Sequence, residues 1–265
     1  MTIIDFHAHA FPDDLAERAV PALEASAPGA TAHLDGKISS LVRSMDEAGI
    51  ARTVVASIAT RPKQFASILK WSQAVASDRI VPFPSFHPAD PEAPDRVRQI
   101  RDAGLLGIKL HPYYQEFDLD DERMWPIYEA IQETGLIWLC HTGYDIAFPR
   151  FRRCDPARIA TVADAFPGIM LVTSHIGAWQ EWEAVREHML GRPIYMEISY
   201  SLPFMSREEA RGLLLGHGQD YVLFGSDSPW GDQKQAIADL RALELGAERE
   251  AAILGGNGLR LLGEA

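Results

Sequence analysis

The fold is decided by the stretch Ile3-Ile4-Asp5-Phe6-His7-Ala8-His9. Its apolar, β-branched beginning predicts a strand. Two histidines follow, where an open doubly wound sheet usually carries a glycine-rich phosphate loop. Because His7 and His9 are two residues apart, both side chains leave the same face of the strand. The stretch therefore favours a closed barrel with two imidazoles at its mouth over a doubly wound sheet.

Seven further runs of this kind follow, each succeeded by a segment of helical period. The eight predicted strands are Ile3–Phe6, Thr53–Ile58, Ile80–Ser85, Leu106–Leu110, Ile137–Cys140, Met170–Thr173, Ile194–Ile198 and Tyr221–Phe224. One amphipathic stretch between them runs from Ile38 to Ala48 and is ended by Gly49. Alternation of strand and helix means parallel strands with helical crossovers. Eight such units in 265 residues predict an α/β protein, a single (β/α)8 TIM-barrel domain over residues 1–265.

The third predicted strand departs from ideal strand chemistry. Pro82 and Pro84 fall within it and share parity, so two backbone donors that face the same neighbour are missing. We therefore expect an irregular seam in the barrel at this strand. The longer inserts are expected after strand one, over residues 10–37, and after strand five, over residues 142–155.

Composition and charge exclude several classes of protein. The net charge of −12, from 25 basic and 37 acidic residues, argues against nucleic acid or an anionic membrane as a partner. We expect no secretory segment and no transmembrane helix, because no apolar run of sufficient length occurs. Two cysteines without a CxxC spacing, Cys140 and Cys154, suit a reducing compartment, so a cytoplasmic location is expected.

Histidines recur at the carboxyl ends of the predicted strands. Besides His7 and His9, His141 and His175 lie at such ends, and Asp227 closes the eighth strand. Barrel active sites are assembled at that end from several strands. Imidazoles and a carboxylate buried together are costly without a cation to share, so the cluster predicts a metal site. The other histidines are His87 and His111, just after two strands, and His33, His188 and His217, which we expect at the surface.

At these residues the chain resembles the amidohydrolase superfamily. It is most similar to the amidohydrolase-related branch that includes aminocarboxymuconate-semialdehyde decarboxylase and related metal-dependent hydrolases. The matching motifs span nearly the whole chain and are Asp5-Phe6-His7-Ala8-His9, Gly107-Ile108-Lys109-Leu110-His111-Pro112, His141-Thr142-Gly143, Ser174-His175-Ile176-Gly177 and Phe224-Gly225-Ser226-Asp227-Ser228-Pro229. This set is specific for the superfamily and only weakly specific for a reaction.

The resemblance implies a divalent metal ion held by four side chains, His7, His9, His141 and Asp227. Imidazole and carboxylate ligands together suit zinc, with manganese, iron or cobalt as alternatives. Asp227 is then the general base and later the proton donor, acting on a water that the metal activates. His175 would orient the substrate or stabilise a developing oxyanion.

Lys109 leaves the number of ions open. In two-metal members of the superfamily a lysine of strand four is carboxylated by carbon dioxide and bridges the ions, and Lys109 lies on the predicted strand four. The alternative is that Lys109 binds a carboxylate of the substrate beside one ion, and this alternative is favoured here. His111, further out along the same face, is left as a residue that supports the ligands from behind.

The insert after strand five predicts the character of the substrate. Tyr144, Arg150 and Arg152 follow the ligand His141, and arginine forks bind carboxylates in pairs of hydrogen bonds. We therefore expect a substrate that bears a carboxylate. Further residues expected to complete the pocket wall are Arg61, Tyr113, Tyr114 and Trp230. The alternative is that the arginines pair with acidic residues at the surface.

These observations lead to a ranked set of functions. The first is a metal-dependent hydrolase that cleaves an amide, ester or lactone bond in a small molecule. The second is a non-oxidative decarboxylase that uses the same site, and the third is a non-catalytic barrel that binds a metal and a ligand. The resemblance also leaves a homodimer open, because relatives often form one.

Overall fold

A computed structural model describes residues 2–264 as a barrel of parallel strands surrounded by helices. The strands are β1 (Ile3–Ala8), β2 (Ile50–Ala56), β3 (Ile80–Phe83), β4 (Gly107–Leu110), β5 (Ile137–Cys140), β6 (Met170–Thr173), β7 (Tyr195–Glu197) and β8 (Val222–Leu223). Each predicted strand is confirmed, although several ends are displaced, and β2 begins at Ile50 rather than at Thr53. The predicted (β/α)8 barrel is therefore the observed fold.

Helices connect successive strands and cover the outside of the barrel. They are α1 (Asp13–Ser26), α2 (Ile38–Ala48), α3 (Phe65–Val75), α4 (Ala93–Asp102), α5 (Trp125–Thr134), α6 (Pro156–Ala165), α7 (Trp182–His188), α8 (Arg207–Gly216), α9 (Gln233–Ala242), α10 (Ala247–Ala251) and α11 (Asn257–Leu261). Short 3-10 turns lie at Pro62–Gln64, Glu122–Met124, Leu202–Phe204 and Gln219–Tyr221, and a π-helical turn at Ala252–Gly256 joins α10 to α11. None of the helices formed by residues 2–264 has the length and hydrophobicity to cross a membrane.

The sheet is interrupted beside β3, where the sequence predicts an irregular seam. Strands β1 to β3 form one hydrogen-bonded sheet and β4 to β8 form another. Pro82 and Pro84 cannot donate backbone hydrogen bonds, and the amide of Lys109 crosses the seam to the carbonyl of Pro84 at 2.9 Å. On the other side the barrel closes where the amide of Phe6 donates to the carbonyl of Phe224 at 2.8 Å.

A bulge in β1 sets the direction of its two histidines. Ile4 and Phe6 pack into a cluster of strand side chains that fills the barrel interior, so strict alternation would turn His7 outward. Between Asp5 and Ala8, however, the pairing of β1 with β2 shifts by one residue. The extra residue changes the phase of the strand. His7 therefore points into the barrel mouth, and Ala8 joins the other cluster, which lies between the strands and the helices.

Two further features depart from the sequence analysis. The insert after β1 contains α1, a helix of 14 residues that was not predicted. His217, expected at the surface, is buried. Its Nε2 atom donates to the carbonyl of Ile194 at 2.8 Å, which ties the segment after α8 to the strand layer. The expectation for His217 was therefore wrong, because a neutral imidazole with one satisfied donor is readily buried.

Candidate metal centre

The ends of β1 and β8 bring together a first group of potential ligands. The Nε2 atoms of His7 and His9 are 3.1 Å apart. Oδ1 of Asp227 lies 3.5 Å from Nε2 of His7 and 3.2 Å from Nε2 of His9. These three ligand atoms are close enough to bind one metal ion.

The ends of β5 and β6 bring together a second pair. Nδ1 of His141 lies 3.2 Å from Nε2 of His175, and the ring centroids of His175 and His7 are 5.7 Å apart. The structure thus gathers all four predicted metal ligands in one pocket. The Nδ1 atom of His141, however, faces His175, to which the sequence analysis gave a role toward the substrate.

Backbone carbonyls determine which nitrogens of these rings carry lone pairs. Nδ1 of His9 donates to the carbonyl of Ala56 at 2.8 Å, and Nδ1 of His175 donates to that of Ser199 at 3.0 Å. Nε2 of His141 donates to the carbonyl of Tyr144 at 3.2 Å. In the neutral rings, the nitrogens that remain are acceptors only. The remaining nitrogens of His141 and His175 therefore face each other with no hydrogen between them, and that of His9 faces the Asp227 carboxylate.

Burial favours the neutral form of three of the clustered imidazoles. Burial lowers the pKa of His7, His141 and His175, and the effect is strongest for the first two. Neutral rings with lone pairs directed at one another and at a carboxylate repel unless a cation lies between them. The donor set therefore fits a divalent metal ion, which accepts imidazole nitrogen and carboxylate oxygen together.

Lys109 lies in the same cluster. Its side chain is fully buried, and Nζ lies 3.1 Å from Nε2 of His7. Burial lowers the pKa of the amine, opposed by the charge of Asp227. The structure thus places Lys109 among the candidate metal ligands.

Glu197 at the end of β7 is a site residue that the sequence analysis missed. It is fully buried, and Oε1 accepts a hydrogen bond from Nδ1 of His7 at 2.9 Å. Burial raises the pKa of this carboxyl group to about 8, while hydrogen bonds from Ser199 oppose the rise. A charged residue within the apolar run Ile194–Ile198 was the signal that could have identified it.

His111 supports the ring of His141 from behind. The two rings stack with their centroids 4.1 Å apart and an angle of 10° between their planes. Nε2 of His111 lies 3.2 Å from Oδ2 of Asp145. His111, His141 and Asp145 could together bind an ion, but Nε2 of His141 is already committed to the carbonyl of Tyr144. We therefore assign His141 to the pair that it forms with His175.

The backbone at two of the strand ends is left-handed. His175 has a φ of 61° and Asp227 a φ of 60°, a conformation that costs such residues about 1 kcal/mol or more. Asp5 fixes the loop that carries Asp227, because it accepts hydrogen bonds from the amide and hydroxyl groups of Ser226 at 3.0 and 2.6 Å. The turns thus direct both side chains into the barrel mouth.

The candidate ligands line one part of a cavity of about 210 Å³. The rest of its wall is mainly apolar and aromatic, and the residues there include Phe11, Leu23, Ala27, Ala30, Ile58, Tyr114, Tyr144, Ile146, Trp179, Tyr200 and Trp230. Tyr144, Trp230 and Lys109 therefore lie where a substrate would contact them. Tyr114 does too, whereas Arg61 and Tyr113 are not among the residues of the wall.

The arginines of the insert after β5 do not point into the cavity. The guanidinium group of Arg150 lies over the ring of Tyr144 at 4.8 Å and donates to Gln180. Nε of Arg152 pairs with Glu181 at 2.8 Å. Of residues 2–264, no arginine lines the cavity. The alternative of pairing with acidic residues at the surface agrees with the structure only in part, because Arg152 pairs with an acidic residue that is buried, Glu181.

Comparison with known proteins places the chain in a family. The family model described as Amidohydrolase matches residues 4–263. The chain belongs to the amidohydrolase family. Members of this superfamily are mostly metal-dependent enzymes, and they include hydrolases and decarboxylases.

Proteins similar to this amidohydrolase include one curated enzyme and several solved structures. A dihydroorotase of Shewanella putrefaciens is 24% identical over 190 residues, which cover 59% of this chain and 55% of that protein. The chain thus matches about half the length of this curated relative. Among solved structures, an uncharacterized TIM-barrel protein of Bordetella bronchiseptica has a TM-score of 0.80 at 20% identity, covering 100% of this chain and 99% of its own. The 5-carboxyvanillate decarboxylase of Sphingomonas paucimobilis has a TM-score of 0.76 at 14% identity, covering 99% of each chain.

Proposed function

We propose that this amidohydrolase is a metal-dependent hydrolase that cleaves an amide, ester or lactone bond in a small substrate. The position of Lys109 is the observation that carries the proposal. Its buried Nζ atom lies 3.1 Å from Nε2 of His7, among nitrogens that are suited to bind metal ions. An ammonium group at that position would compete with a metal ion for the same lone pair.

Carboxylation of Lys109 removes that conflict. A neutral amine adds carbon dioxide to give a carbamate and releases one proton, so a cation is replaced by an anion with two oxygen ligands. Burial lowers the pKa of Lys109 and so favours the neutral amine that this addition needs. We therefore propose two ions rather than the single ion that the sequence analysis favoured. His7, His9 and Asp227 would hold one, His141 and His175 the other, and Lys109 would bridge them.

The residues of the site divide the remaining work of hydrolysis. A bound divalent ion would lower the pKa of a water molecule and polarise a carbonyl group. Asp227, whose side chain lines the cavity and is 11% exposed, would take a proton from the attacking water. It would then return that proton to the leaving amine or alcohol. The surrounding wall holds the substrate over this carboxylate and excludes bulk water.

The cavity wall supports a substrate with an apolar or aromatic body. Phe11, Leu23 and Ile58 line it together with Trp179 and Trp230, and no arginine of residues 2–264 does so. A carboxylate that the substrate carries before hydrolysis would lack a guanidinium partner there. We therefore propose a neutral or singly charged substrate whose reacting carbonyl lies over the metal centre and whose apolar part contacts this wall.

Isotope incorporation tests the proposal directly. The protein, loaded with Zn²⁺ or Mn²⁺, is incubated in ¹⁸O-water with a panel of aryl esters, N-acyl amides and aromatic lactones. We expect one ¹⁸O atom in the carboxylate product, and loss of turnover in Asp227→Asn. Turnover that releases carbon dioxide and incorporates no ¹⁸O would refute hydrolysis.

A decarboxylase is the second candidate, since structures similar to this chain include the 5-carboxyvanillate decarboxylase. A decarboxylase with one ion would leave Lys109 free to bind the substrate. The same panel, extended with hydroxybenzoates, distinguishes the two reactions by their products.

A further inference from the structure

Glu197 receives hydrogen bonds from both halves of the metal centre. Oε1 accepts from Nδ1 of His7 at 2.9 Å and from the backbone amide of His175 at 3.2 Å. The hydroxyl of Ser199 also donates to Oε1 at 2.9 Å, and the amide of Ser199 donates to Oε2 at 2.6 Å. The carboxyl group is fully buried and does not line the cavity. Its contacts are therefore with the ligands rather than with a substrate.

We propose that Glu197 is a positioning residue, which holds the ring proton of His7 on Nδ1 and so directs the Nε2 lone pair toward the metal ion. The backbone amides of His175 and Ser199 donate to Oε1 and Oε2 and so favour the ionised form of Glu197. In that form the carboxylate only accepts hydrogen bonds, so the His7 nitrogen beside it carries the hydrogen. A partner of this kind fixes the tautomer and the ring orientation of a metal-binding histidine and raises its basicity. The inference rests on the ion binding of the proposed function but not on the reaction.

The segment 197–199 extends this control to the second pair of ligands. The carbonyl of Ser199 accepts the Nδ1 hydrogen of His175 at 3.0 Å, and Glu197 holds the backbone amide of the same histidine. One short segment at the end of β7 therefore orients His7 in the first group and His175 in the second. Displacement of Glu197 is therefore expected to weaken ion binding at both positions.

Gly225 leaves the space that Glu197 needs. A Cβ atom at position 225 would overlap Oε2 of Glu197 and would lie 3.2 Å from Cβ of His7. The absence of a side chain at this point of the β8 loop thus allows the carboxylate to reach His7. Gly225→Ala is therefore a way to move the carboxylate while Glu197 itself is retained.

Two measurements on the full-length protein test the proposal without any substrate. The first is the ¹⁵N NMR spectrum of the histidine rings in metal-free protein, with the His7 signals assigned by comparison with His7→Gln. The second is Zn²⁺ affinity by competition with a chromophoric chelator. In wild type we expect a hydrogen on Nδ1 of His7. In Glu197→Gln the side-chain amide has one oxygen that accepts and one NH₂ group that donates, so it cannot accept from both His7 and the amide of Ser199. We therefore expect a changed tautomer population of His7 and a Zn²⁺ affinity lower by about 10- to 100-fold.

Matched variants separate positioning from a structural role. Glu181→Gln alters another buried carboxyl group and should leave both readouts unchanged, whereas Glu197→Asp should recover part of the affinity. If Glu197→Gln does not fold by circular dichroism, Gly225→Ala decides, and it should weaken Zn²⁺ binding with Glu197 in place. A folded Glu197→Gln, or else a folded Gly225→Ala, with wild-type affinity and wild-type His7 signals would overturn the inference. Tight Zn²⁺ binding without ¹⁸O incorporation would refute only the proposed function.

Discussion

Three observations support the proposed catalytic role of Asp227. Its Oδ1 atom is within 3.5 Å of two imidazole nitrogens, its backbone is held in a left-handed conformation, and its side chain lines the cavity. The preceding residue, Ser226, is fixed to Asp5 by two hydrogen bonds. The carboxylate is thus held in place before a substrate arrives, which is how preorganised groups lower a barrier.

Asp227→Asn is the most direct test at this scale. The amide keeps the shape of the side chain but cannot accept the proton of the attacking water, so we expect kcat to fall by about 10²- to 10⁴-fold. Circular dichroism and Zn²⁺ content serve as controls for the fold and for loading by the histidines. Retention of more than a tenth of the wild-type kcat in a folded, loaded variant would contradict the role of Asp227.

The burial of the two cysteines predicts that their thiols are unreactive in the native protein. Cys140 and Cys154 are free and fully buried, and burial raises the pKa of the Cys140 thiol to about 12. Because the thiolate is the reactive species, we expect neither cysteine of the native protein to be alkylated by iodoacetamide at pH 8. Mass spectrometry should show both modified once urea unfolds the chain. Rapid modification of Cys140 in the native state would contradict its burial behind the ligand His141.

The sequence predicted which residues form the candidate metal centre better than it predicted which of them contact one another. HxH spacing and strand-end positions located His7, His9, His141 and Asp227, because the period of a strand determines which side chains share a face. The pairing of His141 with His175 depends on the carbonyls of Tyr144 and Ser199, and such contacts leave no pattern in a sequence. The same holds for the arginines of the insert after β5, whose directions are set by loop geometry.

At the scale of elements, β3 and β4 meet where little space is available. Gly107 begins β4, and a Cβ atom there would lie 2.6 Å from the carbonyl oxygen of Ile137 and still closer to the ring of Phe83. We expect Gly107→Ala to lower the free energy of unfolding by about 1–3 kcal/mol. In α8, a Cβ atom at position 212 would meet only the flexible guanidinium group of Arg186. Gly212→Ala should therefore raise the free energy of unfolding by about 0.5–1 kcal/mol. Urea unfolding measures both, and equal effects would contradict the close contact at Gly107.

Helix α1 contributes one side of the substrate cavity. Leu23 faces the cavity, whereas Leu15 on the same helix is 41% exposed. If the substrate has an apolar body, Leu23→Glu should raise KM roughly tenfold or more, since a buried leucine contact is worth about 1.5–3 kcal/mol. Leu15→Glu should leave KM unchanged. An unchanged KM for apolar substrates in the Leu23→Glu variant would count against the apolar wall.

At the scale of the whole molecule, the proposed metal centre would join strands from opposite sides of the barrel. The first ion would bind β1 to β8 and the second β5 to β6, with Lys109 of β4 between them. A ligand that binds only the folded state stabilises it by about 2.7 kcal/mol at a hundredfold excess over Kd. Metal binding should therefore raise the melting temperature of the protein as well as enable its chemistry.

Metal content and Lys109→Met test this arrangement together. We expect about two ions per chain by plasma mass spectrometry, and a mass increase of one carbon dioxide under native conditions. Removal of the ions by a chelator should lower the melting temperature by several degrees, and Zn²⁺ with bicarbonate should restore it. Lys109→Met lacks the bridging group, so we expect at most one ion and a smaller thermal shift. One ion per chain in both proteins, with no added carbon dioxide in wild type, would exclude the bridge, and the decarboxylase would then account better for the site.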